Sequence, residues 1–388
     1  MPRRDAPRLP QPPRSQPAAS PPPAPTNDTM AVAPALATAR FVHAAHALRG
    51  VAVLAPWLAY LLGVDLLLSL LLPLKTLAPT PVYNLSSVLA GGVWAWIQNI
   101  FTHVNHADIV LSTSCPAGLP RGESAVVIAN HVAWADFYMI QEAARRTGML
   151  GRCRWFAKRS LRWVPFLGWG LWAMGMPLVS RSWATDRAEL ERVFRGIVSN
   201  RWPVWLIAYS EGTRFTPARH SAAVSYRATT GKPPPPSPYL LVPRPRGFVA
   251  TVTALRRGGA DIVNSRSSSS NSPNNITHIP AVLDFTIAYA RHGKFMAAPS
   301  FWDTVARPDL GEAGYRFYVH VRRWEMAELP EGEEALAGWL EERWVEKGRR
   351  LERLREVLEE GEGDSGDWGD WGEVRDGRWE GKEKEKGE

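Results

Sequence analysis

Apolar and polar positions divide the 388-residue chain into regions of different periodicity. Met1 to about Asn27 has no apolar period and is dominated by Pro, Ala and Arg, with the run Pro21-Pro22-Pro23. Such a stretch buries too little apolar surface to offset ordering, so a disordered tail is expected over 1–38. Val51 to Leu74 (VAVLAPWLAYLLGVDLLLSLLLPL) is then almost unbroken apolar sequence, without Lys or Arg and bounded by Arg49 and Lys75. Its length suffices to cross about 30 Å of hydrocarbon, and a membrane helix is expected. Asp65 inside it is costly in lipid and calls for a partner helix or a shallow placement. Leu85 to Phe101 (LSSVLAGGVWAWIQNIF) is shorter and reads as a re-entrant or interfacial helix pairing with the first, Gly91 and Gly92 permitting close approach. The two make a membrane-embedded segment over 39–105.

Beyond about His106 the pattern changes. Ser124–Ala129, Pro203–Tyr209 and Ala281–Ala288 are short, apolar and rich in β-branched residues, as buried strands are. Helical stretches separate them, including one from about Trp134 to Arg146, so the expected class is α/β, a mostly parallel sheet flanked by helices. Trp163 to Val179 carries no charge but is cut by Pro165, Gly168, Gly170, Gly175 and Pro177, and reads as a membrane-facing ledge or acyl-chain channel. Gly258 to Asn275 is rich in Ser, Asn and Gly and predicts a mobile surface insertion. Glu333 to about Glu359 has Leu and Trp at helical spacing among many charges, and a disordered tail is expected after Gly361. The domain bounds are therefore 106–345 for the α/β region and 346–388 for the helix end and tail.

Composition narrows the partners. A formal net charge of +8 suits nucleic acid or an anionic membrane. Eighteen Trp favour the membrane, because amphipathic rings gather where apolar meets wet. No zinc-finger spacing or RNP-like pattern accompanies the charge, so no nucleic-acid partner is expected. Two cysteines, Cys115 and Cys153, give neither a disulfide framework nor metal-ligand spacing, and fit a reducing compartment. Two sequons, at Asn84 and Asn275, are of a common pattern.

The candidate chemistry centres on Asn130-His131-Val-Ala-Trp-Ala-Asp136. On one continuous helix residues five apart are rotated by about 140° and cannot meet. The pair works only if the His lies in a turn and the Asp in the first helical turn after it. His131 follows a strand and precedes a helix; His103 and Asp108 share the spacing but follow an apolar helical stretch, and are expected to be a coincidence. A His held by a carboxylate suits removal of a proton from an alcohol. No nucleophile elbow is present, so the attacking hydroxyl is assigned to a substrate. After the second strand comes Tyr209-Ser-Glu211-Gly212-Thr213-Arg214-Phe215, where Arg214 could hold a phosphate and Glu211 could accept from a hydroxyl. Arg181 and Lys158 border the apolar ledge and suit a phospholipid head group.

The ordered set NHxxxxD, Pro177-Leu-Val-Ser-Arg181, Glu211-Gly-Thr-Arg-Phe215 and Ile279-Pro280 resembles the four motifs of the glycerolipid acyltransferases, the 1-acylglycerol-3-phosphate acyltransferase superfamily. Tyr209–Thr216, Pro243-Arg-Pro-Arg-Gly-Phe248 and Leu283–Tyr289 resemble its eukaryotic lysocardiolipin and lysophosphatidylinositol acyltransferase branch, over roughly residues 45 to 345. The resemblance implies acyl transfer from acyl-CoA, as co-substrate, to the free hydroxyl of a lysophospholipid, with no metal, no cofactor and no covalent intermediate. It assigns His131 as base, Asp136 as its partner, and Glu211, Gly212, Thr213, Arg214, Arg181 and Lys158 to the acceptor. It also implies an integral membrane protein of the endoplasmic reticulum with the site facing the cytosol. A CoA-independent transacylase and a non-catalytic membrane-binding protein remain alternatives to it.

Overall fold

The computed structural model describes residues 28–115, 117–164, 167–180, 183–266 and 277–359. The chain divides into two units, Met1–Ala45 and His46–Glu388. The expected tails lie largely outside the described residues, as do Arg181 and residues 267–276 of the expected insertion.

Helix α1 (Asp28–Leu70) contains the apolar run. Among the described residues it alone is long and apolar enough to cross a membrane, over Arg40–Leu70, with 22% of its most apolar window buried. Trp57, Val64 and Leu68 face inward, whereas Leu58, Leu62, Leu66 and Leu70 are exposed. After a short α2 (Leu74–Leu77), α3 (Pro79–Asn99) ends in a π turn over Ile100–Val104.

The second apolar stretch is thus a full helix, and it pairs with the first as expected. A β-carbon on Gly92 would meet the Tyr60 hydroxyl of α1 at 2.7 Å, and Trp57 Nε1 donates to Val93 O at 3.0 Å, as close approach to the first helix requires. Gly91 faces Gly151 instead, a β-carbon there lying 3.4 Å from its Cα. Tyr83, Ser87, Ala90 and Ile97 are buried. The small residues therefore serve two interfaces, and α3 joins the apolar helix to the α/β region. Ser86 of the Asn84 sequon is fully buried and bonded to Tyr83 O.

The strands are β1 (Ile109–Thr113), β2 (Ala125–Ala129), β3 (Cys153–Trp155), β4 (Ala157–Lys158), β5 (Leu178–Val179), β6 (Trp205–Tyr209), β7 (Ala281–Arg291), β8 (Lys294–Phe295) and β9 (Tyr315–Glu325). The helices after α3 are α4 (Asp136–Arg146), α5 (Leu167–Ala173), α6 (Trp183–Asn200), α7 (Pro217–Thr229), α8 (Pro245–Arg266), α9 (Phe301–Ala306) and α10 (Glu333–Glu359). The main sheet runs β1-β9-β7-β2-β6-β3, with β8 paired to β7, while β4 and β5 form a separate pair. Every neighbouring pair in that order is parallel except β7–β9, and the β7–β8 hairpin is also antiparallel. The all-apolar run AVVIA is buried at every position of β2, as a central strand covered on both faces demands.

Because β2, β6 and β7 are parallel, their C-terminal ends share one edge: Ala129 is in register with Tyr209 and with Phe285. This edge is where such sheets place ligand contacts. Part of the expected insertion is not a loop, since α8 continues to Arg266 and its backbone is helical through Gly258 and Gly259. The two glycines do not stop the helix.

The expected ledge holds an exposed Trp163 and partly exposed Trp169 and Trp172. Its α5 packs against α1, where a β-carbon on Gly170 would strike the buried Asp65 carboxylate. A partner helix for Asp65 is therefore present. Lys75 closes the same end, donating to Trp172 O at 3.0 Å and Ala173 O at 2.8 Å.

On the other side α10 buries Leu336, Leu340, Trp344 and Leu351. Its Lys347 is fully buried, with its ammonium on the Asp284 carboxylate and on Phe285 O. Removing one member of a buried pair leaves an unpaired charge, at roughly 3–5 kcal/mol. Lys347→Ala should therefore lower the melting temperature sharply. Lys347→Met combined with Asp284→Leu should recover most of that loss, read by thermal unfolding of the detergent-solubilised protein.

Candidate active site

His131 stands two residues beyond β2, and Asp136 opens α4 five residues later. The intervening turn folds back on the carboxylate. Asp136 Oδ2 accepts from His131 Nδ1 at 2.7 Å and from Val132 N at 2.7 Å. Ala133 N donates to both oxygens at 3.1 Å, and the Tyr289 hydroxyl donates to Oδ1 at 2.7 Å. Asp136 is wholly buried, while the His131 side chain keeps 19% exposure. A buried carboxylate needs such donors, and accepting only, it draws the imidazole proton to Nδ1. Nε2 is then left as a bare acceptor, with no hydrogen bond among the described residues.

Two tyrosines fix the imidazole. The Tyr209 ring stacks on it at 4.0 Å between centroids and 12° between planes. Tyr289, on β7, holds the far oxygen of Asp136. Burial first, and the Asp136 charge second, keep both phenols well above the ordinary pKa of 10, so Tyr289 remains an O–H donor. Asn130 sits beneath, its amide exchanging bonds of 2.9 and 2.8 Å with the backbone of Ile287. That clamp registers the His131 turn against β7.

The Glu-Gly-Thr-Arg turn closes the other side. Phe215 N donates to His131 O at 2.7 Å, tying the turn to the dyad. Gly212 has φ +71°, a conformation in which glycine is unstrained and other residues are not. Arg214 is exposed and lies over the Trp134 ring, 5.8 Å from its centroid. Trp134 in turn meets Phe301 edge-on at 5.5 Å. Thr213 is half-buried in the same turn.

Glu211 departs from its expected role as an acceptor for a substrate hydroxyl. It is 2% exposed and receives the indole N–H of Trp344 from α10 at 3.2 Å. Burial, with some help from the Asp136 charge, raises its pKa from 4.5 to about 8, although the Trp344 bond and the backbone of His131 and Leu241 pull it down. It is a neutral acid at pH 7 that supports the turn from below. Lys158 is exposed at the end of β4, and its strand partner is Val179 of β5. It touches neither member of the dyad. His103 bonds the adjacent Thr102 hydroxyl at 2.8 Å rather than Asp108. Among the described residues no cluster of three or more His, Cys, Asp or Glu could hold a metal ion.

Sequence reasoning missed Tyr209, Tyr289, Asn130 and Trp344 as working parts. Asn130 and Tyr209 stand inside the quoted motifs and Tyr289 ends the Leu283–Tyr289 run, so position alone could have raised them. Trp344 lies on a helix that reads as largely solvated, and nothing local marks it.

A buried His–Asp dyad thus stands at the C-terminal edge of a mostly parallel sheet, with an arginine-bearing turn beside it, and comparison with known proteins places this α/β domain among acyltransferases. The family model described as Acyltransferase matches residues 100–259, and that described as Acyltransferase C-terminus matches 310–363. The chain is 30% identical over 225 residues to 1-acyl-sn-glycerol-3-phosphate acyltransferase 2 of Brassica oleracea, covering 58% of this chain and 50% of the relative. It is 28% identical to 1-acyl-sn-glycerol-3-phosphate acyltransferase delta of Mus musculus, covering 58% and 51%. A crystal structure of the 1-acyl-sn-glycerophosphate acyltransferase PlsC from Thermotoga maritima is similar at 16% identity and a TM-score of 0.39, covering 75% of this chain and 96% of that one. The chain belongs to the glycerolipid acyltransferase superfamily. It spans about half the length of these plant and mouse relatives.

The raised pKa of Glu211 has a signed consequence. The folded state holds a proton that the unfolded chain releases between pH 4.5 and about 8, so this residue erodes stability as pH rises through that window. Glu211→Gln, which keeps the shape without the titration, should flatten the fall in melting temperature across it. An unchanged slope would show Glu211 to be ionised in the fold. Tyr289→Phe removes one charge-assisted bond, worth about 1.5–3 kcal/mol, from Asp136 and should lower both melting temperature and turnover.

Proposed function

We propose that this protein is a membrane-bound acyltransferase that moves an acyl group from acyl-CoA to the free hydroxyl of a lysophospholipid. The observation that carries the reading is the 2.7 Å bond from His131 Nδ1 to a buried Asp136, which leaves Nε2 to act as a base. Nε2 takes the proton of the acceptor hydroxyl as its oxygen attacks the thioester carbonyl. Collapse of the adduct forms the ester, breaks the C–S bond and expels the thiolate, which recovers the proton from the imidazolium. Asp136 keeps its charge throughout and stabilises the imidazolium. No residue carries the acyl group, in keeping with a His131 that no Ser hydroxyl hydrogen-bonds among the described residues.

The relatives are named as 1-acyl-sn-glycerol-3-phosphate acyltransferases, which supports lysophosphatidic acid or a related lysophospholipid as the acceptor. Arg214, exposed beside the dyad, supplies the positive charge for its phosphate, and Lys158 and Arg181 add to it. Helix α1, apolar and mostly unburied over its best window, anchors the protein in the bilayer. Its two cysteines are free thiols, which supports a site on the cytosolic face, with the endoplasmic reticulum as the membrane.

His131→Ala should reduce acyl transfer from labelled acyl-CoA by about 10²–10⁴-fold, the usual share of a general base, while the protein stays in the membrane fraction. Undiminished transfer would overturn the mechanism. Turnover without added acyl-CoA would identify a transacylase instead, and no CoA release with any lysophospholipid would leave a lipid-binding protein.

A further inference from the structure

Arg244 precedes α8, thirty residues in sequence beyond Arg214, yet the fold sets it against the Glu-Gly-Thr-Arg turn. A β-carbon on Gly212 would lie 3.1 Å from Arg244 Cδ, 3.4 Å from its Nε and 3.6 Å from its Cζ. The guanidinium therefore lies across the bare face of Gly212. Its backbone is held there too, since Arg244 N donates to Ser210 O at 2.7 Å. The side chain is exposed and has no hydrogen bond or ion pair among the described residues.

Arg214, two residues past Gly212, is in the same condition: exposed, resting on Trp134, with no carboxylate partner among the described residues. Other guanidinium groups in the fold are committed to protein acceptors. Arg323 is forked onto Glu123 and Glu325, Arg146 meets Glu142, and Arg49 is spent on Val104 O, Asn105, Val305 O and Arg307 O. Two guanidinium groups thus border one turn, neither with a carboxylate partner among the described residues. The turn itself is pinned to the base by the 2.7 Å bond from Phe215 N to His131 O, so a group bound there would be held at a fixed distance from the reacting centre.

We propose that Arg244 is a specificity-determining residue that pairs with Arg214 to bind a phosphomonoester dianion. The inference rests on the acyl-transfer reading for its substrates. The dianion has two sources of the same chemistry, the head of lysophosphatidate and the 3′-phosphate of acyl-CoA. A phosphodiester lysolipid such as lysophosphatidylcholine, with one negative charge and a nearby cation, gains much less from the second arginine. Gly212 takes part by leaving the space: a side chain there would push Arg244 off the turn.

Equilibrium binding to the full chain in nanodiscs tests this, with His131→Ala as the background so that no turnover intervenes. Adding Arg244→Ala should weaken lysophosphatidate binding about tenfold, the usual worth of one charge-assisted contact, and leave lysophosphatidylcholine nearly unchanged. Arg244→Lys should restore part of the loss, because the charge returns without the fork. If the loss falls instead on acyl-CoA and vanishes with the dephospho-CoA thioester, the dianion is the nucleotide phosphate. Equal losses for monoester and diester ligands, or none for any, would overturn the proposal. Absence of acyl transfer by the unmodified protein would refute the catalytic reading yet leave a monoester-selective binding loss standing, so the two can fail separately.

Discussion

A carboxylate without water is the constraint around which this domain is arranged. Asp136 is fully buried and would be intolerable there without donors. The chain provides four from two places: His131, Val132 and Ala133 from its own turn and Tyr289 from β7. The turn donors explain why His and Asp stand five apart with a helix starting at the second of them. The Tyr289 bond explains why β7 must lie beside β2 and in a particular register. One charge thus couples local backbone geometry to the order of strands in the sheet.

The supports of the site radiate from that coupling. Asn130 locks the start of the turn to Ile287, two residues before Tyr289, and Phe215 N ties the His131 carbonyl to the Glu-Gly-Thr-Arg turn. Glu211 sits beneath as an uncharged acid, which avoids a second anion near Asp136 while keeping a hydrogen bond from Trp344. Lys347, three residues further along α10, reaches β7 at Asp284. The C-terminal helix therefore meets both flanks of the dyad, and the core under the site includes a charge pair that a purely apolar packing would do without.

Much of this was legible in the chain because it depends on local rules. The buried parallel strands announce themselves as unbroken runs such as AVVIA, and the His–Asp spacing makes sense only at a strand-to-helix junction. The parts that were not legible depend on long-range geometry. Gly91 and Gly92 look alike in sequence, but one faces Gly151 and the other Tyr60. Glu211 looks like a ligand group because carboxylates are normally exposed, and its burial under Trp344 follows only from where α10 docks. The same holds for Lys347, one of many charges on that helix, and for Gly258 and Gly259, whose breaker character was outweighed by the helix already running into them. Arg181 has a strong motif and no described position.

The order of strands has a consequence for how the protein is made. Among the described residues β9 is the last strand along the chain, yet it lies between β1, the first, and β7. The sheet therefore cannot close until β9, which follows all of its described neighbours in the chain, has folded between them. Nor can the supports of the dyad be complete before α10, which carries Trp344 and Lys347, has left the ribosome. The His131–Asp136 pair is therefore fully braced only when the α10 side chains have docked.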